Sequence, residues 1–67
     1  MVTFPERLKE ARKVKGWSLQ DLANKTGLAK YHLYCLEHGR YEPRMMTLLW
    51  LAEAFEVSMD WLAGREE

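Results

Sequence analysis

The chain has 67 residues, ten Lys/Arg against ten Asp/Glu, no net charge and a hydrophobic fraction of 48% with three Trp. That length holds one domain with a small core, and that apolar content excludes a disordered chain. A lone Cys excludes an internal disulfide, and no apolar run approaches the ~18 residues of a membrane span. A cytoplasmic protein with no membrane association is expected, since no signal-peptide pattern opens the chain.

Charge is unevenly placed. Residues 1–44 carry nine Lys/Arg and five Asp/Glu, an excess of +4, whereas residues 45–67 carry one Arg and five acids, an excess of −4. In chain order, Thr3-x-x-Glu6 is a capping box with Pro5 in the first turn, and it opens a helix expected over Phe4 to Lys15. Phe4, Leu8 and Ala11 form its inner stripe, Val14 extends it, and Gly16 ends it. Arg12 lies on the flank of that stripe, where a long cation reaches another helix. Trp17 is expected to pack between the first two helices. Ser18 caps a second helix, with Asp21 at its positive end and Leu19, Leu22 and Ala23 at i, i+3 and i+4. Gly27 ends it without a Cβ penalty. A third helix over 29–37 sets Ala29, Leu33 and Leu36 inward. Two short helices joined by a tight Gly-containing turn are the sequence form of a helix-turn-helix. Past His38-Gly39, Arg40 to Arg44 is a loop, because Pro43 disfavours a helical residue before it. A fourth helix over Met45 to Phe55 has Leu48, Leu51, Ala52 and Phe55 at core spacing. Val57 packs in the connection. Ser58 caps a short fifth helix, Met59 to Ala63, and Gly64 closes it. A compact all-α domain of five helices over residues 1–64 is expected, with 65–67 as a frayed tail.

This order of marks resembles the phage-repressor/Cro-type helix-turn-helix regulators. It comprises a capped helix closed by Gly16, the Ser18 helix, Gly27, a helix ending Leu36-Glu37-His38-Gly39, Pro43, a Leu-rich helix, and Val57-Ser58-Met59-Asp60-Trp61-Leu62. The resemblance spans about residues 4–64. It implies a lambda-repressor-like fold and a sequence-specific DNA-binding regulator of transcription, in the main a repressor, acting as a homodimer on a palindromic operator. It further implies an ion pair between Arg12 and Glu37, because these stand where the family joins helix one to the end of helix three.

In a helix-turn-helix the N-terminal part of the second helix enters the major groove. With Leu33 and Leu36 inward, the base-facing residues are Lys30, Tyr31, Tyr34 and Cys35. Lys30 is suited to guanine O6 or N7, the tyrosines to a base edge, a phosphate or a thymine methyl, and Cys35 to van der Waals contact. His32 lies at the border of the two faces and is expected to pack. Ser18 and Gln20, at the N-terminus of the second helix, and Arg40 and Arg44, in the loop, are the expected backbone contacts. The chain departs from the family in having Leu19 where a Gln is common and Ala29 where a Ser or Thr caps, the latter at a cost of ~1 kcal/mol. Tyr31, Tyr34 and Cys35 also replace the usual small polar readers.

Trp50 lies about 100° off the core stripe of the fourth helix. With Met59 and Trp61 it marks an expected dimer seam; alternatively Trp61 covers the core and Trp50 is half-buried. Nothing forms a nucleophile–base arrangement, so no enzyme is expected. His32, Cys35 and His38 at i, i+3 and i+6 fan over about 120°, so neither a metal site nor a cofactor is expected. The other reading of the Tyr31/Tyr34 face is a protein-interaction module of antitoxin or regulator-partner type, with a protein partner in place of DNA.

Overall fold

A computed structural model describes residues 2–65; Met1, Glu66 and Glu67 lie outside the described residues, and with them part of the expected domain 1–64 and most of the expected tail. Five helices follow one another: α1 (Phe4–Lys15), α2 (Leu19–Thr26), α3 (Lys30–Glu37), α4 (Met45–Phe55) and α5 (Met59–Leu62). No strand occurs among the described residues.

Each helix begins and ends for a local reason. At the start of α1 the Glu6 carboxylate reaches back to accept from the Thr3 amide at 3.2 Å, and Pro5 occupies a position whose N–H would be unsatisfied in any case. The box at α2 is complete: Asp21 N–H donates to Ser18 Oγ at 3.0 Å, and Ser18 N–H donates to Asp21 Oδ2 at 2.9 Å. Gly27 ends α2 at φ 79°, which a side chain rarely adopts, and its amide donates to the Ala23 carbonyl at 2.8 Å. At α5 Ser58 Oγ accepts from the Trp61 amide at 2.9 Å. Two expectations at this end need adjustment. The fifth helix stops one residue early, with Ala63 as its C-cap. Arg65 is tied in rather than frayed, because its amide donates to the Asp60 carbonyl at 2.9 Å.

The core is assembled from one leucine or more per helix. Leu8, Leu22, Leu33, Leu36, Leu51 and Leu62 are fully buried, and Phe4, Ala11, Ala23, Ala52 and Phe55 complete the cluster. Burying each such leucine contributes about 1.5–3 kcal/mol, so every helix is held chiefly by its contacts with the others. α3 packs on α1 and α2, whereas α4 packs on α1, α2 and α5. Gly64 brings the end of α5 against the beginning of the chain, where a Cβ would stand 2.7 Å from the Val2 carbonyl oxygen.

Val14 does not extend the inner stripe of α1 and is 79% exposed. The chain turns at Gly16, and Trp17 covers that end of the core instead, its ring stacked on Phe55 of α4 with centroids 5.7 Å apart. Arg7, three residues after Phe4 and four before Ala11, is buried on the same inner face of α1. Its guanidinium carbon lies 4.3 Å from the centroid of the Trp61 ring, a cation–π contact that docks α5 on α1.

The hydrogen bond from the Ser18 amide, then that with the Ser18 hydroxyl, holds the Asp21 carboxyl below the usual carboxylate range. A carboxylate depressed in the folded state stabilises the fold fully above its unfolded pKa of about 3.9, and this is lost as pH falls through the folded value. An NMR titration of the Asp21 carboxyl carbon is expected to give a midpoint below that of an unstructured Asp. Asp21→Asn should lose less stability than the parent between pH 5 and pH 2 in urea unfolding. A midpoint at or above about 3.9 would show that the α2 cap does not favour the ionised form.

Candidate nucleic-acid interface

One guanidinium positions α3. Arg12 of α1 donates from Nε to Glu37 Oε2 at 2.5 Å, from Nη2 to Glu37 Oε1 at 3.1 Å, and from Nη1 to the Trp17 carbonyl at 2.8 Å. Glu37 is the last residue of α3, and Trp17 opens the approach to α2, so three segments meet at one side chain. The forked hydrogen bond to Glu37 raises the Arg12 pKa further, against an opposing effect of burial, and the group is therefore a fixed cation. The carboxylate side chain is 2% exposed and the guanidinium side chain 16%.

With its C-terminal end tied to α1, α3 turns one flank to solvent. Lys30 is exposed, Tyr31 is 68% exposed and Tyr34 37%. The two phenol rings are stacked, with centroids 6.2 Å apart and planes 15° from parallel. Tyr34 stacks in turn on His38 at 4.0 Å, and the Arg40 guanidinium lies 5.6 Å from the Tyr34 centroid. His38 Nδ1 donates to the Tyr34 carbonyl at 2.8 Å, since a carbonyl oxygen can only accept, and this fixes the ring. Leu19, Lys30, Tyr31, Tyr34 and Arg40 together line an open concavity between the start of α2 and the flank of α3.

Cys35 is not part of this surface. It is 3% exposed and belongs to the buried side of α3 with Leu33, Leu36 and Glu37. The loop after α3 folds back over it. The Arg40 amide donates to the Cys35 carbonyl at 3.0 Å, and Tyr41 Oη lies 2.7 Å from His32 Nδ1 with the two rings 5.3 Å apart. Partial loss of water around the phenol, and then the Cys35 thiol beside it, push the Tyr41 hydroxyl above its ordinary pKa. His32, Cys35 and His38 thus serve separate contacts. Among the described residues no group of three or more His, Cys, Asp or Glu is arranged to hold a metal.

The expected backbone contacts are all at the surface. Ser18 stands at the N-terminus of α2 with its oxygen accepting from Asp21, and Gln20 Nε2 donates to Asn24 Oδ1 at 3.1 Å along the exposed side of the same helix. Arg40 and Arg44 are exposed in the loop, with Arg44 the N-cap residue of α4. Ala29 makes no side-chain cap hydrogen bond at α3. The preceding turn is held instead by Thr26, whose hydroxyl donates to the Leu22 carbonyl at 2.8 Å and accepts from the Leu28 amide at 3.2 Å.

The three residues expected at a dimer seam differ in exposure. Met59 and Trp61 are half-buried and packed on the core, with the Trp61 ring under Arg7. Trp50, 43% exposed, instead joins exposed Met46 and half-buried Leu49 on the outer side of α4. The Tyr34–His38 pairing was missed, although its i, i+4 spacing on one helix side is the signal that marks it. The position of Tyr41 was not legible, because it depends on the path of the loop.

A turn of this form between α2 and α3, with a solvent-facing second helix locked to α1, defines a helix-turn-helix domain. Residues 6–67 match the family described as a helix-turn-helix domain, and the chain belongs to it. The relatives it resembles include the HTH-type transcriptional regulator AnsR of Bacillus subtilis (strain 168), 42% identical over 62 residues, covering 92% of this chain and 53% of AnsR. ImmR of the same organism is 36% identical over 66 residues, covering 98% of this chain and 52% of ImmR, and SinR of Bacillus licheniformis is 33% identical over 63 residues, covering 92% and 57%. The chain therefore spans about half the length of the curated relatives it matches. Among solved structures it is similar to a crystal structure of SinR, the master regulator for biofilm formation, in complex with DNA. That likeness has a TM-score of 0.85 and 34% identity, and covers 90% of this chain and 97% of that one.

Breaking the Arg12–Glu37 pair from either side strands a charge, and the more buried partner costs more to strand. Arg12→Met, which leaves the Glu37 carboxylate uncompensated, is expected to destabilise by about 3 kcal/mol, and Glu37→Gln, which leaves the partly hydrated guanidinium, by about 2 kcal/mol. Urea unfolding at pH 7 measures both. Costs below about 0.5 kcal/mol for each would show that the pair does not anchor α3.

Proposed function

We propose that this chain is a sequence-specific DNA-binding regulator of transcription that inserts α3 into the major groove. The carrying observation is the solvent-facing flank of α3, where Lys30, Tyr31 and Tyr34 stand together with Arg40 beside them, on the second helix of a helix-turn-helix. The likeness to a regulator solved in complex with DNA supports the same reading. Lys30 and the tyrosine hydroxyls meet base edges; Cys35 has no part in this, being buried. Arg40 and Arg44 take phosphates on one side of α3. The amides at the start of α2, with Ser18 and Gln20, take a phosphate on the other. Occupancy of a promoter by such a domain excludes other proteins from it, so the proposed sign is repression.

Two copies on a palindromic operator are part of the proposal. Half-sites one helical turn apart lie about 34 Å from centre to centre. The domain measures 27 × 23 × 20 Å, less than that separation, so contact between copies requires each to extend its facing surface toward the dyad. The outer side of α4, with Met46, Leu49 and Trp50, is the proposed contact, since grouped exposed apolar side chains mark interfaces.

Selection from a random duplex pool tests binding and yields the site. On the selected duplex, Arg40→Ala/Arg44→Ala is expected to flatten the dependence of log affinity on log salt by about 1.8, at about 0.9 for each phosphate no longer neutralised. An unchanged slope would remove these arginines from the interface. Sedimentation is expected to show a concentration-dependent dimer that Trp50→Glu shifts to monomer. A parent chain that stays monomeric at every concentration, free and on the duplex, would remove the α4 contact.

A further inference from the structure

The α3 flank is short of the usual means of reading bases. The helix, KYHLYCLE, contains no Arg, Gln or Asn, and of the side chains that make two-point hydrogen bonds to guanine or adenine in the major groove it has only Lys30. What it offers instead is hydrocarbon. Leu19 from the start of α2 and the Tyr31 and Tyr34 rings form an apolar notch, with the cations Lys30 and Arg40 at its edge. The floor of the major groove has one apolar feature, the C5-methyl group of thymine. We propose that this notch is a thymine-methyl reader, so that Leu19, Tyr31 and Tyr34 determine specificity for a T·A pair in each half-site. The inference rests on the DNA-binding function proposed above and names what that surface selects.

The geometry suits this task in three respects. Tyr34 lies between Tyr31 and His38, at 6.2 Å and 4.0 Å, and His38 is itself held by its hydrogen bond to the Tyr34 carbonyl. The wall of the notch is therefore set before a ligand arrives, which lowers the ordering cost of binding. Leu19 is packed against the core and gives the opposite wall a fixed position. Lys30 and Arg40 carry positive charge at the rim, complementary to the phosphates that border a groove and poorly suited to an uncharged apolar partner.

The test uses the duplex recovered by selection. Each dT is replaced singly by dU, which removes the methyl group and leaves every hydrogen-bonding group of the pair in place. One dT per half-site is expected to weaken binding about fourfold on replacement, the scale of one buried methyl group. At that position 5-methylcytosine paired with guanine should bind more tightly than cytosine paired with guanine by a similar factor, which separates the methyl group from the rest of the thymine ring. Tyr31→Ala, at an exposed position where the fold is not at stake, should abolish the dT/dU difference, while Tyr31→Phe should keep it, because ring hydrocarbon rather than the hydroxyl makes the contact. A duplex bound sequence-specifically but indifferent to dU at every position overturns the thymine reader and leaves the DNA-binding function standing. Failure of selection to yield any duplex bound above a random one overturns both.

Discussion

Three hydrogen bonds from the Arg12 guanidinium join the helix-turn-helix to the remainder of the domain. α2 and α3 have eight residues each, shorter than helices that stand alone in water, so their relative placement comes from what they pack against. Leu22, Leu33 and Leu36 supply most of the burial energy, but hydrophobic contact is not directional and leaves rotation about each helix axis weakly determined. The fork from Arg12 to Glu37 supplies that direction. A planar cation meeting a carboxylate through two parallel bonds tolerates little rotation, and its third bond, to the Trp17 carbonyl, refers α3 to the chain entering α2. Replacing such a pair by well-packed apolar residues often costs nothing in stability. Its value here lies in orienting α3, which decides whether Lys30, Tyr31 and Tyr34 face solvent together.

Net charge alone misleads about this protein. A total of zero argues against a polyanionic partner, yet the basic excess falls within residues 1–44 and the acidic excess beyond them. Part of the basic excess is used internally, Arg12 on Glu37 and Lys15 on Glu56 at 3.2 Å. Lys30 and Arg40 remain at the rim of the α3 concavity, with Arg44 exposed further along the loop. The local field over α3 is set by those cations together with exposed Glu42 in the same loop, since exposed charges beyond about 10 Å are largely screened at ordinary salt.

The five helices were legible because their signals are local. Thr3, Ser18, Gly27 and Ser58 act within a few residues, and an apolar period of about 3.6 is visible in any stretch long enough to repeat it. The Cys35 surface was not legible. Periodicity puts Cys35 about 130° from the centre of the Leu33/Leu36 stripe, among the outward residues, and its burial comes from the loop from Arg40 to Arg44, whose path is set by Tyr41 meeting His32. Val14 was misplaced for a related reason: the α1 stripe continues in sequence after the core beneath it has ended, and Trp17 closes that end from the next segment. At the α4 surface, exposure of Trp50 followed from its angle on the helix. The half-burial of Trp61 agrees with the alternative in which it covers the core, and Arg7, a charged residue whose stem and guanidinium are recruited into packing, holds it there.

The domain leaves two apolar surfaces uncovered, and they differ in what can occupy them. The α3 flank is bordered by Lys30 and Arg40, whereas Met46, Leu49 and Trp50 on α4 lead along the same helix side to Glu53. A polyanion is drawn to the first and repelled from the end of the second. α3 lies on α1 and α2, and α4 lies on α1, α2 and α5, so the two surfaces are carried by different helices. Occupying one does not require uncovering or reshaping the other. A duplex held at α3 and a second copy held at α4 are then compatible, and each domain brought to the duplex raises the effective concentration of the next at the neighbouring half-site. Under that arrangement the sharpness of recognition need not come from any single contact. A reader with one methyl-sized preference per half-site would gain selectivity by multiplying it across two, and a helix that has Lys30 but no Arg, Gln or Asn would then still prefer one sequence over another.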